Sequence, residues 1–339
     1  MRALPILTVM AVPALLAVLA AVSCAAPPPA PPPAPSLLLV SPVACDIGVT
    51  CFIQQYVDHD LGSGASDYMC GHEVYNGHDG TDIRLPDKMA EMRGVAVVAA
   101  ADGLVVNIRD GEPDWGVGAF DPAKVNMDKA CGNRVVIKHA NGWDTQYCHL
   151  RPGSVVVKEG QAVKAGTTLG LIGQSGDAEF VHLHFRLALY NQVVDPFASG
   201  QASCGKPAFM WAPAAAEQMA YRVRQVLNAG FAPAAVSDDD VERGGLAAPT
   251  RSSPALVVYV RTLALAAGDV QTLVLYGPDG REMARSVTPA LSRDKAQYQM
   301  FVGKKLTEDA WPAGHYRGAF SIANGGKTVM AKDVSLILQ

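Results

Sequence analysis

This 339-residue sequence has little charge, 18% of its residues, and no surplus of one sign: 28 Lys and Arg stand against 32 Asp and Glu, a formal net charge of −4. Phosphate backbones are bound by concentrated basic faces. No cluster of lysine and arginine is visible, so nucleic acid is not an expected partner. Close cysteine pairs are also missing, which argues against a cysteine zinc site. No internal repeat links the two halves. What is present is 49% apolar composition, enough for a sizeable core at a length that makes two domains the default.

Charge is scarcest at the start. Arg2 is the one charged residue among the first 22, followed by an apolar run from Ala3 to Val22 broken by Pro5 and Pro13. Residues 1–23 read as an export signal; the run is also long enough for an uncleaved anchor, although Pro13 weakens a helix through it. Ala21-Val22-Ser23-Cys24 is similar to a lipoprotein processing site. Two routes fit, acylation of Cys24 or ordinary signal cleavage just after it. Either Cys24 or the apolar segment offers a membrane tether. Residues 24–36 are rich in proline and read as a stiff extended spacer.

Six further cysteines remain: Cys45, Cys51, Cys70, Cys131, Cys148 and Cys204. An even set in an exported chain suggests disulfides. Cys131 and Cys148 lie on two strands that read as one hairpin and are paired first; Cys45 with Cys51 and Cys70 with Cys204 follow by default.

The pattern divides the rest into 37–205, a β-domain with an irregular N-terminal extension; 206–254, a helix and linker; and 255–339, a second β-domain. From Gly94 to Phe197 short apolar runs alternate with turn residues, including the hairpin signal Asn141-Gly142, which predicts an antiparallel sheet or open barrel. The insertion 111–130 is too long for a tight hairpin and is expected beside a functional site. Residues 213–229 carry Met219, Val223, Val226 and Leu227 near one helical face, with Gly230 just beyond, and predict a helix. The strands and turns after Ala255 fit a small immunoglobulin-like β-sandwich, so the whole chain is expected to be mainly β.

Three segments carry chemistry. Gly77-His78-Asp79-Gly80-Thr81-Asp82 sets an imidazole and a carboxylate four positions apart around a glycine that lets both face one point. In Val181-His182-Leu183-His184-Phe185 alternate residues share a strand face, so His182 and His184 project together. Tyr147-Cys148-His149-Leu150 adds a histidine at the end of a neighbouring strand. His59, His139 and His315 are expected to be solvated or locally bonded.

The three segments, in order HDGTD, YCHL and HLHF, resemble the M23 or lysostaphin-type zinc peptidases, whose motifs are HxGxD, YxHL and HxH followed by Phe. The resemblance covers about 70–197 and extends, in a subset of exported members, over CFIQQYVDHD, for which no chemistry suggests itself. It implies Zn2+ held by His78, Asp82 and His184 with a fourth position for water, as a hydrolytic zinc requires. It leaves His149 and His182 as the non-ligand histidines for proton transfer, without saying which is the base. The family often places an aromatic donor upstream of the first histidine to assist the oxyanion; Tyr75 or His72 are the candidates. Arg186 stands where an acidic residue is common, and Val181 where proline is frequent.

The function so implied is a zinc-dependent endopeptidase cutting peptide cross-links of bacterial peptidoglycan, located in the periplasm or attached to the outer membrane. Arg186 near the site would favour stem peptides joined at D-alanine over uncharged glycine bridges. The alternative is a non-catalytic envelope regulator or binding protein of the same fold.

Overall fold

A computed structural model describes residues 37–201 and 203–339. The expected export signal, spacer and acylation site Cys24 lie outside the described residues. The first β-structure comprises β1 (Phe52–Gln55), β2 (Thr81–Arg84), β3 (Ala96–Val98), β4 (Gly103–Arg109), β5 (Asn133–Lys138), β6 (Trp143–Leu150), β7 (Ala162–Val163), β8 (Thr168–Leu171), β9 (His182–Leu189) and β10 (Gln192–Val193). The second comprises β11 (Gln225–Ala232), β12 (Ala255–Leu265), β13 (Val270–Tyr276), β14 (Glu282–Val287), β15 (Lys295–Lys305), β16 (Gly314–Asn324) and β17 (Lys327–Leu338). Three short α-helices among the described residues, α1 (Lys88–Arg93), α2 (Pro213–Gln218) and α3 (Asp238–Arg243), punctuate them.

In the first structure the strand order is β1-β2-β9-β6-β5-β4-β7, with β10 on β9 and a separate β3-β8 pair, an open antiparallel sheet of the expected kind. Its alternation buries Val135, Ile137, Tyr147, Leu183, Phe185 and Leu187 in one core. The β5–β6 turn works as its sequence predicts: Asn141 and Gly142 both take positive φ, 60° and 83°, which Asn and Gly tolerate best. Three disulfides, Cys45–Cys51, Cys70–Cys204 and Cys131–Cys148, tie the extension, the C-terminal end of this structure and the hairpin.

The second structure is a sandwich of a three-stranded sheet, β11-β12-β15, and a four-stranded sheet, β14-β13-β16-β17. Leu256, Val258 and Val260 of one sheet meet Leu273, Leu275, Phe320 and Ile322 of the other in an apolar core. Its first strand corrects the helix expected over 213–229. Only Pro213–Gln218 is helical, and Gln225–Ala232 is a strand paired with β12. The chain turns at Arg224, whose φ is 54° and whose guanidinium is held by the buried Asp269 carboxylate. Beyond it Leu227 and Phe231 are buried in the junction and sandwich cores. Strand pairing across the sequence overrides a helical spacing of four apolar residues.

Phe52 of β1 packs on Leu227, Leu263 and Ala264 of the sandwich. Beside it Arg84, 1% exposed, donates to Gln54 on β1, to Gln297 on β15 and to Glu242 on α3. Arg84 lies two residues beyond Asp82 on β2, so the junction is anchored next to the functional strand.

Candidate active site

The site forms where β2, β9 and β6 lie side by side. Antiparallel register sets Asp82 opposite His184, and His184 opposite Cys148, the residue before His149. His78 precedes β2 at the end of a loop. This loop is held by Asp58, whose carboxylate accepts from the backbone N–H groups of Asp60, Ser66 and Gly77.

His78 Nε2, Asp82 Oδ1 and His184 Nδ1 lie 2.9 to 3.2 Å from one another. Donors arranged tetrahedrally around one zinc at its usual bond lengths stand roughly 3.3 Å apart, so this set fits a single ion. Each imidazole is also oriented from behind. The His78 Nδ1–H donates to the Tyr56 carbonyl at 2.6 Å, leaving Nε2 as the free lone pair. His184 Nε2 faces the Asp79 carboxylate at 3.2 Å, so it presents Nδ1 instead. Carbonyl and carboxylate partners of this kind fix tautomer and ring direction in metal sites. The glycine in HDGTD serves space rather than the turn: a Cβ on Gly80 would sit 2.5 Å from the His184 ring.

His149 and His182 flank the triad, with ring centroids 4.6 Å apart. The His149 Nδ1–H donates to Ser175 O at 2.7 Å and the His182 Nδ1–H to Phe180 O at 2.8 Å. Both therefore keep an Nε2 lone pair. His149 has a φ of 63°, and its backbone N–H donates to Cys131 O next to the Cys131–Cys148 disulfide. Burial, then the neighbouring His182 and His184, push His149 well below the ordinary imidazole range; burial likewise lowers His182. Burial works against the Asp82 charge, but His78, His182 and His184 outweigh it and hold its carboxyl well below the usual range. His184 is drawn down by burial and driven up to about 9 by Asp79 and Asp82. A proton there does what a cation would do.

A cavity of about 330 Å³ opens over this group, lined also by Tyr75 and by Phe120 of the 111–130 insertion. The insertion does border the site, pinned by Trp115 Nε1 donating to Gly176 O. Tyr75 lies 4.6 Å from the His78 ring. His72 does not join the site: its side chain is 66% exposed and pairs with Asp294 at 3.2 Å. Arg186 also points elsewhere, bonded to Asp79 at 3.0 Å and close to Asp144, so it steadies Asp79 rather than facing a substrate. His59 is not solvated but buried against Asp195 at 2.8 Å; His139 is locally bonded, to Asp102 O and Thr145.

Sequence reasoning missed Asp79, Tyr56 and Asp58. For Asp79 a signal existed, a basic residue on β9 where an acid is common, opposite an acid beside His78. The CFIQQYVDHD stretch acquires a role here, since Tyr56 orients His78 and Asp58 holds its loop.

Comparison with known proteins agrees with this geometry. Residues 76–196 match Peptidase family M23. The chain is 32% identical over 118 residues to peptidoglycan DD-endopeptidase ShyA of Vibrio cholerae, covering 35% of this chain and 22% of that protein. It is 33% identical over 118 residues to cell division protein DipM of Caulobacter vibrioides, 35% of this chain and 15% of the relative. The uncharacterized lipoprotein YgeR of Escherichia coli is 32% identical over 120 residues, 35% of this chain and 38% of the relative. The chain thus spans well under half the length of these relatives. A crystal structure of a zinc-containing peptidase from Vibrio cholerae aligns over 46% of this chain and 40% of that one at 27% identity, with a TM-score of 0.28. The segment 76–196, which carries both the His78, Asp82, His184 triad and the paired histidines, matches peptidase family M23.

Proposed function

We propose that the chain is a zinc-dependent endopeptidase that hydrolyses peptide cross-links of bacterial peptidoglycan. The observation that carries this reading is the triangle of three mutually close donor atoms with two further imidazole lone pairs beside it in one open cavity. His78 Nε2, Asp82 Oδ1 and His184 Nδ1 would hold the ion. When bound, zinc acidifies water and polarises a scissile carbonyl.

The chain's own residues do the remainder. Asp79 and the Tyr56 carbonyl hold the ligand rings in direction. His149 and His182, neutral and carrying their protons on Nδ1, offer Nε2 to take a proton from attacking water and return one to the departing amine. Tyr75, beside His78, is the donor for the carbonyl oxygen as it becomes negative. The names of the relatives support peptidoglycan as substrate and the D-alanyl cross-link as the bond. That polymer lies outside the cytoplasm, which suits the expected export signal and a periplasmic or outer-membrane-attached protein, tethered through Cys24 if acylated.

Digestion of purified sacculi, with and without chelator and with products identified by mass, tests the reading. Un-cross-linked muropeptides that vanish on chelation are expected. Free stem peptides with bare glycan would replace the endopeptidase by an amidase; intact sacculi would leave a binding protein.

A further inference from the structure

The cavity over the histidines does not end at the triad. A second hollow of about 380 Å³ continues from it, the two sharing Gln54, Phe120, Glu179, Phe180 and Ala296. Its far side comes from the C-terminal half of the chain: Asp238 and Asp239 at the start of α3, and Ala296 and Gln297 on β15. Cations are present only in its floor. Arg84 and Arg261 are each 1% exposed, and both are bonded to Glu242. Glu179, Asp238 and Asp239 are exposed and make no side-chain hydrogen bond or ion pair among the described residues. A ligand entering therefore meets carboxylates.

Gln54 is an independent mark of a ligand. It is 5% exposed and lines both hollows, at their neck. Arg84 donates to its carbonyl oxygen at 2.7 Å, which fixes the direction of the amide. Its NH₂ group has no partner among the described residues. That nitrogen is not among the sealed, unpartnered atoms of the interior but opens to the cavity, where it is free to donate to an incoming carbonyl.

Resting on the endopeptidase reading above, we propose that this hollow is a substrate subsite for a peptide bearing an ammonium group. Gln54 donates to a peptide carbonyl near the bond to be cut. Glu179, Asp238 and Asp239 hold the cation. The sandwich and α3 thus set specificity by forming a fixed wall of the groove, joined to the functional strand through Arg84.

The test uses cross-linked peptide dimers released from sacculi, with their free side-chain amine intact or acetylated. The zinc-loaded full chain is expected to favour the intact form about tenfold in kcat/KM. In Asp238→Asn/Asp239→Asn that ratio should fall toward one. Gln54→Leu should lower kcat/KM for both forms while keeping the ratio. A wild-type ratio near one, or a double variant that keeps the preference, overturns the subsite. If the wild type cleaves neither form, the endopeptidase reading fails, and calorimetric titration of the same dimers decides the subsite by itself: tighter binding of the intact form in wild type but not in the double variant supports it, and equal binding overturns it.

Discussion

Each half of this chain buries a polar cluster, and the two clusters are built on opposite terms. In the sandwich Asp269 is fully buried, and its carboxylate accepts from Arg224, the Ala266 backbone N–H and Asn324. Nothing is left over: each acceptor oxygen is bonded, as a structural ion pair requires. In the peptidase domain the polar atoms are equally buried but incompletely bonded. His149 and His182 each use one ring nitrogen on a backbone carbonyl and turn the other to a cavity, and the second nitrogen of His78 meets only the other two donors of the triangle. Saturated burial holds a fold; burial with lone pairs facing open space prepares a site.

The sharpest way to break the comparison is Asp82→Ala. It should lose zinc by elemental analysis and reduce sacculus hydrolysis by about a thousandfold or more. Full zinc occupancy in the variant would refute the donor set. Asp269→Ala is the counterpart in the sandwich. By stripping the part-exposed Arg224 guanidinium, the Ala266 N–H and the Asn324 amide of their common acceptor, it should lower unfolding free energy by about 2–3 kcal/mol in a denaturant titration. Zinc content and turnover per folded molecule should stay at the wild-type level; a loss of zinc there would show that the clusters are not independent.

Within the peptidase domain, His149→Ala removes a lone pair without touching the donor triangle. Turnover should fall by roughly a hundredfold while zinc remains. Equal zinc loss in His149→Ala and His184→Ala would mean that the two have exchanged roles.

A smaller effect tests a buried acid outside both clusters. Burial, then Asp67 and Asp294, push Glu73 up to about 8, and one of its oxygens has no partner. The folded chain thus keeps a proton that the unfolded chain releases. Stability is lost as pH rises from the ordinary carboxylate range to about 8 and is constant above it. Glu73→Gln should stabilise the protein by about 1–2 kcal/mol more at pH 8 than at pH 5 in parallel denaturant titrations. A difference independent of pH would show that Glu73 is ionised throughout.

Legibility in the sequence follows the range of the interaction. His182 and His184 were readable because a strand's period of two sets them on one face, and the β5–β6 hairpin because Asn141-Gly142 is a local turn signal. His78 and Asp82 were readable as residue types with a short spacing. The groups that orient them were hidden. The Tyr56 and Ser175 carbonyls leave no trace in residue type, and Asp79 gains meaning only when β9 brings Arg186 and His184 to it. The strand Gln225–Ala232 was hidden for a similar reason, since its partner β12 begins far along the chain and the local spacing of apolar residues suits a helix as well. Gln54, an amide in an edge strand, gains a role only from the hollow that the distant sandwich closes.

The left-handed backbone of His149 sets stability and turnover at odds. A non-glycine residue at this φ costs about 1–2 kcal/mol, and glycine would avoid that cost. His149→Gly should therefore be more stable than His149→Ala by about 1 kcal/mol, with turnover lowered equally in both. A search for sturdier variants that ignored activity would drift to glycine here. On the proposed function, the imidazole persists at this bend because a strained conformation is kept where the side chain serves the site.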